Sequence, residues 1–267
     1  MFELSDIDYL NHIDAVVDRW SKIVVPFYSS STKSNTEANG FGSGFVVQYK
    51  NRLFLATASH VVDDVMKNEA NIIVINGHPV LLENIIAMRD EENDIAAFPL
   101  DNLLRKNGFR SVPGLDIDVA LKGEPLGLNL LLGYPGTKNR LNSKYKKTDR
   151  HLQSITAKKI EHKISLKTEI TNHIQFEYNT KRLIDSKLDK IPNPPYLHGM
   201  SGGPALEMRL ELISEHESKT HIRLVGVLVE WHQQQKVIVA TEVSSLIKLL
   251  EKFSASSSLE QLAATNI

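Results

Sequence analysis

The chain has no cysteine, and that one absence excludes disulfides, thiolate metal sites and a cysteine nucleophile together. Its ten histidines fall at no metal-ligand spacing, so neither a metal nor any other cofactor is expected. It has almost no net charge, 31 Lys and Arg against 32 Asp and Glu, so no global field draws it to nucleic acid or to an anionic membrane. It lacks any apolar run long enough to span a bilayer. Asp6, Asp8 and Asp14 interrupt the N-terminus, which has neither the basic nor the apolar region of a signal peptide. Because missing cysteines also fit a reducing compartment, the expectation is a cytoplasmic protein with no nucleic-acid or membrane partner. What is present is ordinary for a globular chain: 42% hydrophobic and 24% charged residues over 267 positions, enough for two domains or one large two-barrel unit.

One stretch stands out, Gly199-Met200-Ser201-Gly202-Gly203-Pro204. A serine hydroxyl alone is a poor nucleophile, so a serine framed by glycines asks for a base, an orienting carboxylate and an oxyanion site. Upstream, Thr57-Ala58-Ser59-His60-Val61-Val62 places an imidazole at the end of an apolar strand, and Asn93-Asp94-Ile95-Ala96-Ala97-Phe98 places a carboxylate at the start of another. Taken singly, His60 could cap a strand, Asp94 could pair with Arg89, and Ser201 could sit in an ordinary glycine turn. Taken jointly, in the order His, Asp, Ser, they read as a catalytic triad.

These three motifs resemble those of the chymotrypsin-like serine peptidases, the trypsin-like and HtrA-type branch in particular, over about residues 22 to 253. G-x-S-G-G-P alone arises by chance in a chain this long roughly once in several thousand. The resemblance implies an all-β fold of two six-stranded antiparallel β-barrels with an N-terminal and a C-terminal helix. It divides the chain into an N-terminal helix at 1–21, a first barrel at 22–110 with His60 and Asp94, a second barrel with its helix at 111–254 with Ser201, and a flexible tail at 255–267. It implies His60 as general base, Asp94 as its orienting partner, Ser201 as nucleophile, and the amides of Gly199 and Ser201 as the oxyanion hole. Met200 stands where proteolytically activated members carry an acid, which removes that ion-pair activation. With about 14 residues after the expected last helix, no PDZ-like domain is expected in this sequence, so control is expected from loops, from an activating protein partner, or from nothing. The substrate pocket is assigned to Pro195, Tyr196 and His198, just before the nucleophile, and to the strand Val229-Glu230-Trp231-His232, which carries Glu230. Pro195 takes the pocket-base position where a Lys/Arg preference would need an aspartate.

Taken in order, Leu4, Ile7, Leu10, Ile13, Val17 and Trp20 recur at helical spacing and predict a helix from about residue 6 to residue 20. Ile23 to Tyr28 reads as a strand and 29–39 as a polar, turn-rich loop. Phe41 to Val47 and Leu53 to Ala58 read as a hairpin turning near Asn51. Further strands are expected at 72–75, 80–86, 95–100, 128–132, 152–159, 173–178 and 237–240, and a long hairpin at 206–213 with 221–229. Residues 101–124 read as the link between barrels. The basic run Lys138, Arg140, Lys144, Lys146, Lys147 and Arg150 has no aromatic platform beyond Tyr145, so it reads as a solvated loop, and by analogy as a candidate regulatory loop. Val243, Leu246, Ile247, Leu250 and Phe253 fall at helical spacing.

The function expected is that of a serine endopeptidase, with a protein or peptide as substrate and an acyl-enzyme intermediate. Two alternatives stand beside it. One is a catalytically silent peptide-binding module of the same fold; the other is an effector held latent until a partner orders its loops.

Overall fold

The computed structural model describes residues 17–31, 34–67, 71–82, 86–117, 123–136, 140–142, 147–149, 151–178, 197–214 and 217–264. In chain order the strands are β1 (Val24–Ser31), β2 (Ser34–Tyr49), β3 (Arg52–Ala58), β4 (Asn71–Ile75), β5 (His78–Leu81), β6 (Met88–Asp90), β7 (Ile95–Pro99), β8 (Leu115–Asp116), β9 (Glu124–Gly133), β10 (Arg140–Asn142), β11 (Lys147–Asp149), β12 (Gln153–Ala157), β13 (His173–Glu177), β14 (Pro204–Ser214), β15 (Glu217–His232) and β16 (Val237–Glu242). Helices cover Ser59–Lys67, Asp101–Lys106 and Val243–Ala264. Of the helix expected near the N-terminus, residues 17–20 are described and are helical.

The strands form two sheets. The first has ten strands, ordered β5-β4-β1-β2-β3-β7-β6 with β8, β10 and β11 added to its side; the second has six, ordered β12-β9-β14-β15-β16-β13. Residues just past β12 bond to β13, through Ile160 N–H to Gln175 O (2.8 Å) and Glu177 N–H to Lys158 O (2.9 Å), which joins the two ends of the second order into a barrel. The double β-barrel architecture is therefore present, with more strands in its first sheet than six.

Local chemistry accounts for much of this. Lys50 and Asn51, between β2 and β3, both have positive φ (47° and 62°), the turn whose twist matches that of a two-residue hairpin. Of the expected loop 29–39, residues 29–31 and 34–39 are strand: Ser29 pairs with Asn39 and Ser30 with Ala38, extending β1 and β2, while 32 and 33 lie outside the described residues. β4 covers the other edge of β1 at Tyr28 and Ser29, so sheet context overrides weak strand propensity there. Two pieces from later in the chain also join β2: β8 in parallel at Val47↔Leu115, and β10 antiparallel at Leu141↔Ala38. The link 101–124 thus holds a helix and a strand. The basic run contributes β10 and β11, while its residues 138, 144, 146 and 150 lie outside the described residues. The C-terminal helix runs on to Ala264, where a tail from residue 255 was expected. No glycine or proline occurs between Ser254 and Ala264 to stop it.

Side chains alternate across a strand, and in the second sheet both faces are covered. Leu130, Leu132, Val227, Val229, Val237 and Val239 belong to the large core shared with the first sheet, whereas Leu131, Leu228 and Ile238 point into the second barrel. This double burial explains why these stretches read as unbroken apolar runs rather than as alternating ones. The C-terminal helix closes the shared core with Leu246, Leu249 and Leu250, and Phe253 meets Phe54 edge-on at 5.8 Å.

Polar contacts between the sheets converge on Ser43 of β2, which is fully buried. Its hydroxyl donates to Gly199 O (2.7 Å) and accepts from Tyr134 N–H (2.8 Å). Its N–H donates to Ser201 O (2.8 Å), and its carbonyl accepts from Thr57 Oγ1 (2.7 Å). Ser43→Ala would strand the Gly199 carbonyl and the Tyr134 amide in the interior. The expected outcome in urea unfolding is a loss of about 2–4 kcal/mol, seen as a lower midpoint with unchanged slope.

Candidate active site

The turn Leu197–Gly203 is built by its own backbone. Met200 N–H bonds to Leu197 O (2.9 Å), Gly203 N–H to Met200 O (3.0 Å), and Gly202 N–H to Leu228 O of β15 (2.7 Å). Gly202 has φ +86°, and a Cβ there would run into Ser43 O and Thr57 Oγ1. Glycine is therefore required by close approach as well as by conformation. The same approach sets the turn against Thr57 and Ala58, the end of the strand that leads into His60.

His60 is the second residue of the helix Ser59–Lys67. Asp94 holds it twice, with Oδ1 accepting from the His60 backbone N–H (2.9 Å) and Oδ2 at 2.7 Å from Nδ1 of the ring. Asp94 has φ +49°, a left-handed conformation that Asp tolerates, and its carbonyl accepts from Ser59 N–H (3.0 Å). The preceding residue, Asn93, is buried. Its carbonyl accepts from Thr241 Oγ1 of β16, and its Oδ1 accepts from Asn172 N–H (3.3 Å). The carboxylate turn is therefore fastened to both sheets. Arg89, offered by the sequence as a partner for Asp94, bonds instead to Ser59 and Asp63.

The Ser201 hydroxyl donates to Val229 O (3.3 Å), and among the described residues no hydrogen bond joins it to His60. The amides of Gly199 and Ser201 have no acceptor among the described residues, so two N–H groups are free beside that hydroxyl. Burial is the largest influence on the His60 imidazole and pulls its pKa down. The hydrogen bond and charge of Asp94, with Asp64 and Asp63, outweigh it, leaving a net rise above the ordinary 6.5.

No family model matches the chain, and no curated protein does. Among solved structures, a serine endoprotease from Yersinia pestis superposes with a TM-score of 0.51 at 14% identity, over 94% of this chain and 67% of that one. The chymotrypsin-like serine peptidase fold is the fold of this chain. A Mycobacterium tuberculosis protease in its active form gives 0.47 at 14% identity, over 94% and 92% of the two chains. The MamO protease domain from Magnetospirillum magneticum gives 0.46 at 11% identity, over 86% and 96%.

Two depressions flank the site within this peptidase fold. A cleft of about 490 Å³ has His60 and Asp94 in its wall, with Asp63, Glu91, Glu92, Glu169 and Glu230 against the single guanidinium of Arg89. A recess of only about 30 Å³ lies beside Ser201, walled by Leu197, Met200, Leu228, Val229, Glu230, Trp231 and Ile238. Of the residues assigned to the pocket by sequence, Glu230 lines both depressions, its Oε2 held by His232 Nε2 at 2.7 Å. His198 is exposed and is not in the recess wall; its carbonyl is tied to Gly136 N–H (2.9 Å). Pro195 and Tyr196 lie outside the described residues. Trp231, edge-on to Tyr178 at 6.0 Å, lies in the recess wall, on the strand that the sequence assigns to the pocket. The roles of Ser43 and Thr241 had no signature in the sequence. Among the described residues no group of three His, Asp or Glu side chains is placed to hold a metal ion, and no helix is long and apolar enough to cross a membrane.

Removing the Asp94 charge in Asp94→Asn should lower the His60 pKa. Because the folded-state value in the native chain is raised, the stability from this pair is full below pH 6.5 and fades as pH rises through the folded pKa. Urea unfolding of both proteins across a pH series should show the native chain's advantage largest on the acid side and shrinking toward alkaline pH.

Proposed function

We propose that the chain is a serine endopeptidase acting through Ser201, His60 and Asp94, and that it works in the cytoplasm. The observation that carries this reading is the Asp94-held imidazole at the mouth of the strand against which the Ser201 turn is packed. In the reaction, Ser201 Oγ leaves the Val229 carbonyl and attacks the scissile carbonyl carbon while His60 Nε2 takes its proton. The amides of Gly199 and Ser201 receive the oxyanion, each such donor being worth about 3 to 4 kcal/mol of barrier. The imidazolium, steadied by Asp94, then gives its proton to the leaving amine, and water repeats the sequence on the acyl ester to release the acid.

The substrate enters extended. Beyond Leu228, β15 has no ladder partner on its β14 side among the described residues, and that edge runs beside Ser201. A peptide strand pairing there competes for the Val229 carbonyl that holds the Ser201 hydroxyl. That bond also favours a second reading, a latent or silent site awaiting a partner.

Intact-mass analysis after incubation with a fluorophosphonate separates the two. A single adduct on the native chain and none on Ser201→Ala is expected. A well-folded native chain that takes no adduct would sink the claim of a constitutively active peptidase.

A further inference from the structure

Arg89 lies on β6 opposite Ala96 of β7, which in turn lies opposite Thr57 of β3. Its guanidinium reaches the residues that follow β3. Nε donates to Ser59 Oγ (2.8 Å), and Nη2 donates to Ser59 O (3.3 Å) and to Asp63 Oδ1 (2.7 Å), with Glu91 Oε1 farther off at 3.6 Å. Ser59 is buried and immediately precedes His60, and Asp63 lies one turn beyond it. One planar group thus grips the chain on both sides of the imidazole-bearing residue.

Asp94 comes from the other end of the same β6–β7 hairpin and takes the remaining handles, the N–H of His60, the N–H of Ser59 and the ring. The geometry points to Arg89 as a positioning residue: by bridging Ser59 and Asp63 it fixes the first turn of the helix so that the His60 ring meets Asp94 at 2.7 Å. Its catalytic meaning rests on the serine peptidase reading above. An isolated ion pair at this exposure would contribute little. What sets Arg89 apart is the fork, since several fixed donors on one plane bridge two acceptors that a single ammonium cannot hold together.

The charged groups facing the imidazole are Asp94, Glu91 and Glu92 from the β6–β7 turn, Asp63 and Asp64 from its own helix, Arg89 from β6, Glu169 from the segment before β13, and Glu230 from β15. Arg89 is the one cation in that cleft wall among the described residues, and it sits on Asp63, whose charge favours the imidazolium. Loss of the guanidinium leaves Asp63 uncompensated. A loosened bond to Asp94, the largest of the influences that raise the His60 pKa, works the other way, so the bond itself is the readout of position.

The test compares Arg89→Gln and Arg89→Lys in the full chain, each checked by circular dichroism and thermal melting. NMR of the His60 ring reads out whether or not Ser201 reacts. Both variants should weaken the low-field Nδ1 proton signal of the bond to Asp94. Fluorophosphonate labelling should slow by about ten- to a hundredfold in both. Folded variants with an unaltered low-field signal would overturn the inference. If Arg89→Gln fails to fold, the Arg89→Lys low-field signal decides. A native chain that takes no adduct while the NMR changes appear as expected would refute the peptidase reading and leave the positioning role standing.

Discussion

Ser43 is the point on which the arrangement depends. A buried hydroxyl can donate once and accept twice, and here one such group, with its own amide and carbonyl, ties β2 to β3, to the residue after β9 and to the Ser201 turn. None of the four bonds is exceptional alone. Their convergence means that the turn carrying the hydroxyl is positioned from the first sheet, although its residues continue into the second. The approach is so close that Gly202 must lack a side chain. The glycines of the motif are thus explained by what lies against them as much as by the turn they make.

The second fastening is the β6–β7 hairpin. Asn93 and Asp94 sit at its tip, one bonded to the second sheet and the other to His60. Together with Ser43 it sets the relation between imidazole and hydroxyl by two short polar contacts across the boundary of the sheets. In such a frame the proposed reaction asks only for a small rotation: the hydroxyl has an acceptor at Val229 and would exchange it for His60.

Much of this could be read from the residues. The strand pairs on either side of Lys50-Asn51, the long hairpin of β14 and β15 and the C-terminal helix all follow from local pattern. What escaped was non-local. Serines and asparagines at 29–39 carry no strand signal, yet a neighbour on each side of β1 makes a ladder of them. The three-residue strands β10 and β11 sit in a run of charges, where β10 pairs with β2 and β11 with β10. In the pocket, Glu230 and Trp231 stand on the strand named from the sequence, whereas Ile238, opposite Trp231 on β16, was not named and also lines the recess. A side chain's reach across a sheet is not written in its sequence neighbours.

The apolar core has one further implication. A single contiguous cluster takes side chains from both sheets, from the helix at Val61 and Val62, and from the C-terminal helix at Leu246 and Leu250. Separating the halves at the 101–124 link would expose one whole face of β9, β15 and β16, each of which buries large aliphatic groups on that side. The two barrels are therefore not independent lobes on a hinge. They are halves of one cooperative unit, in which opening the cleft by rigid-body motion would be opposed by the same surface that drives folding, and adjustment at the site falls to loops and side chains alone.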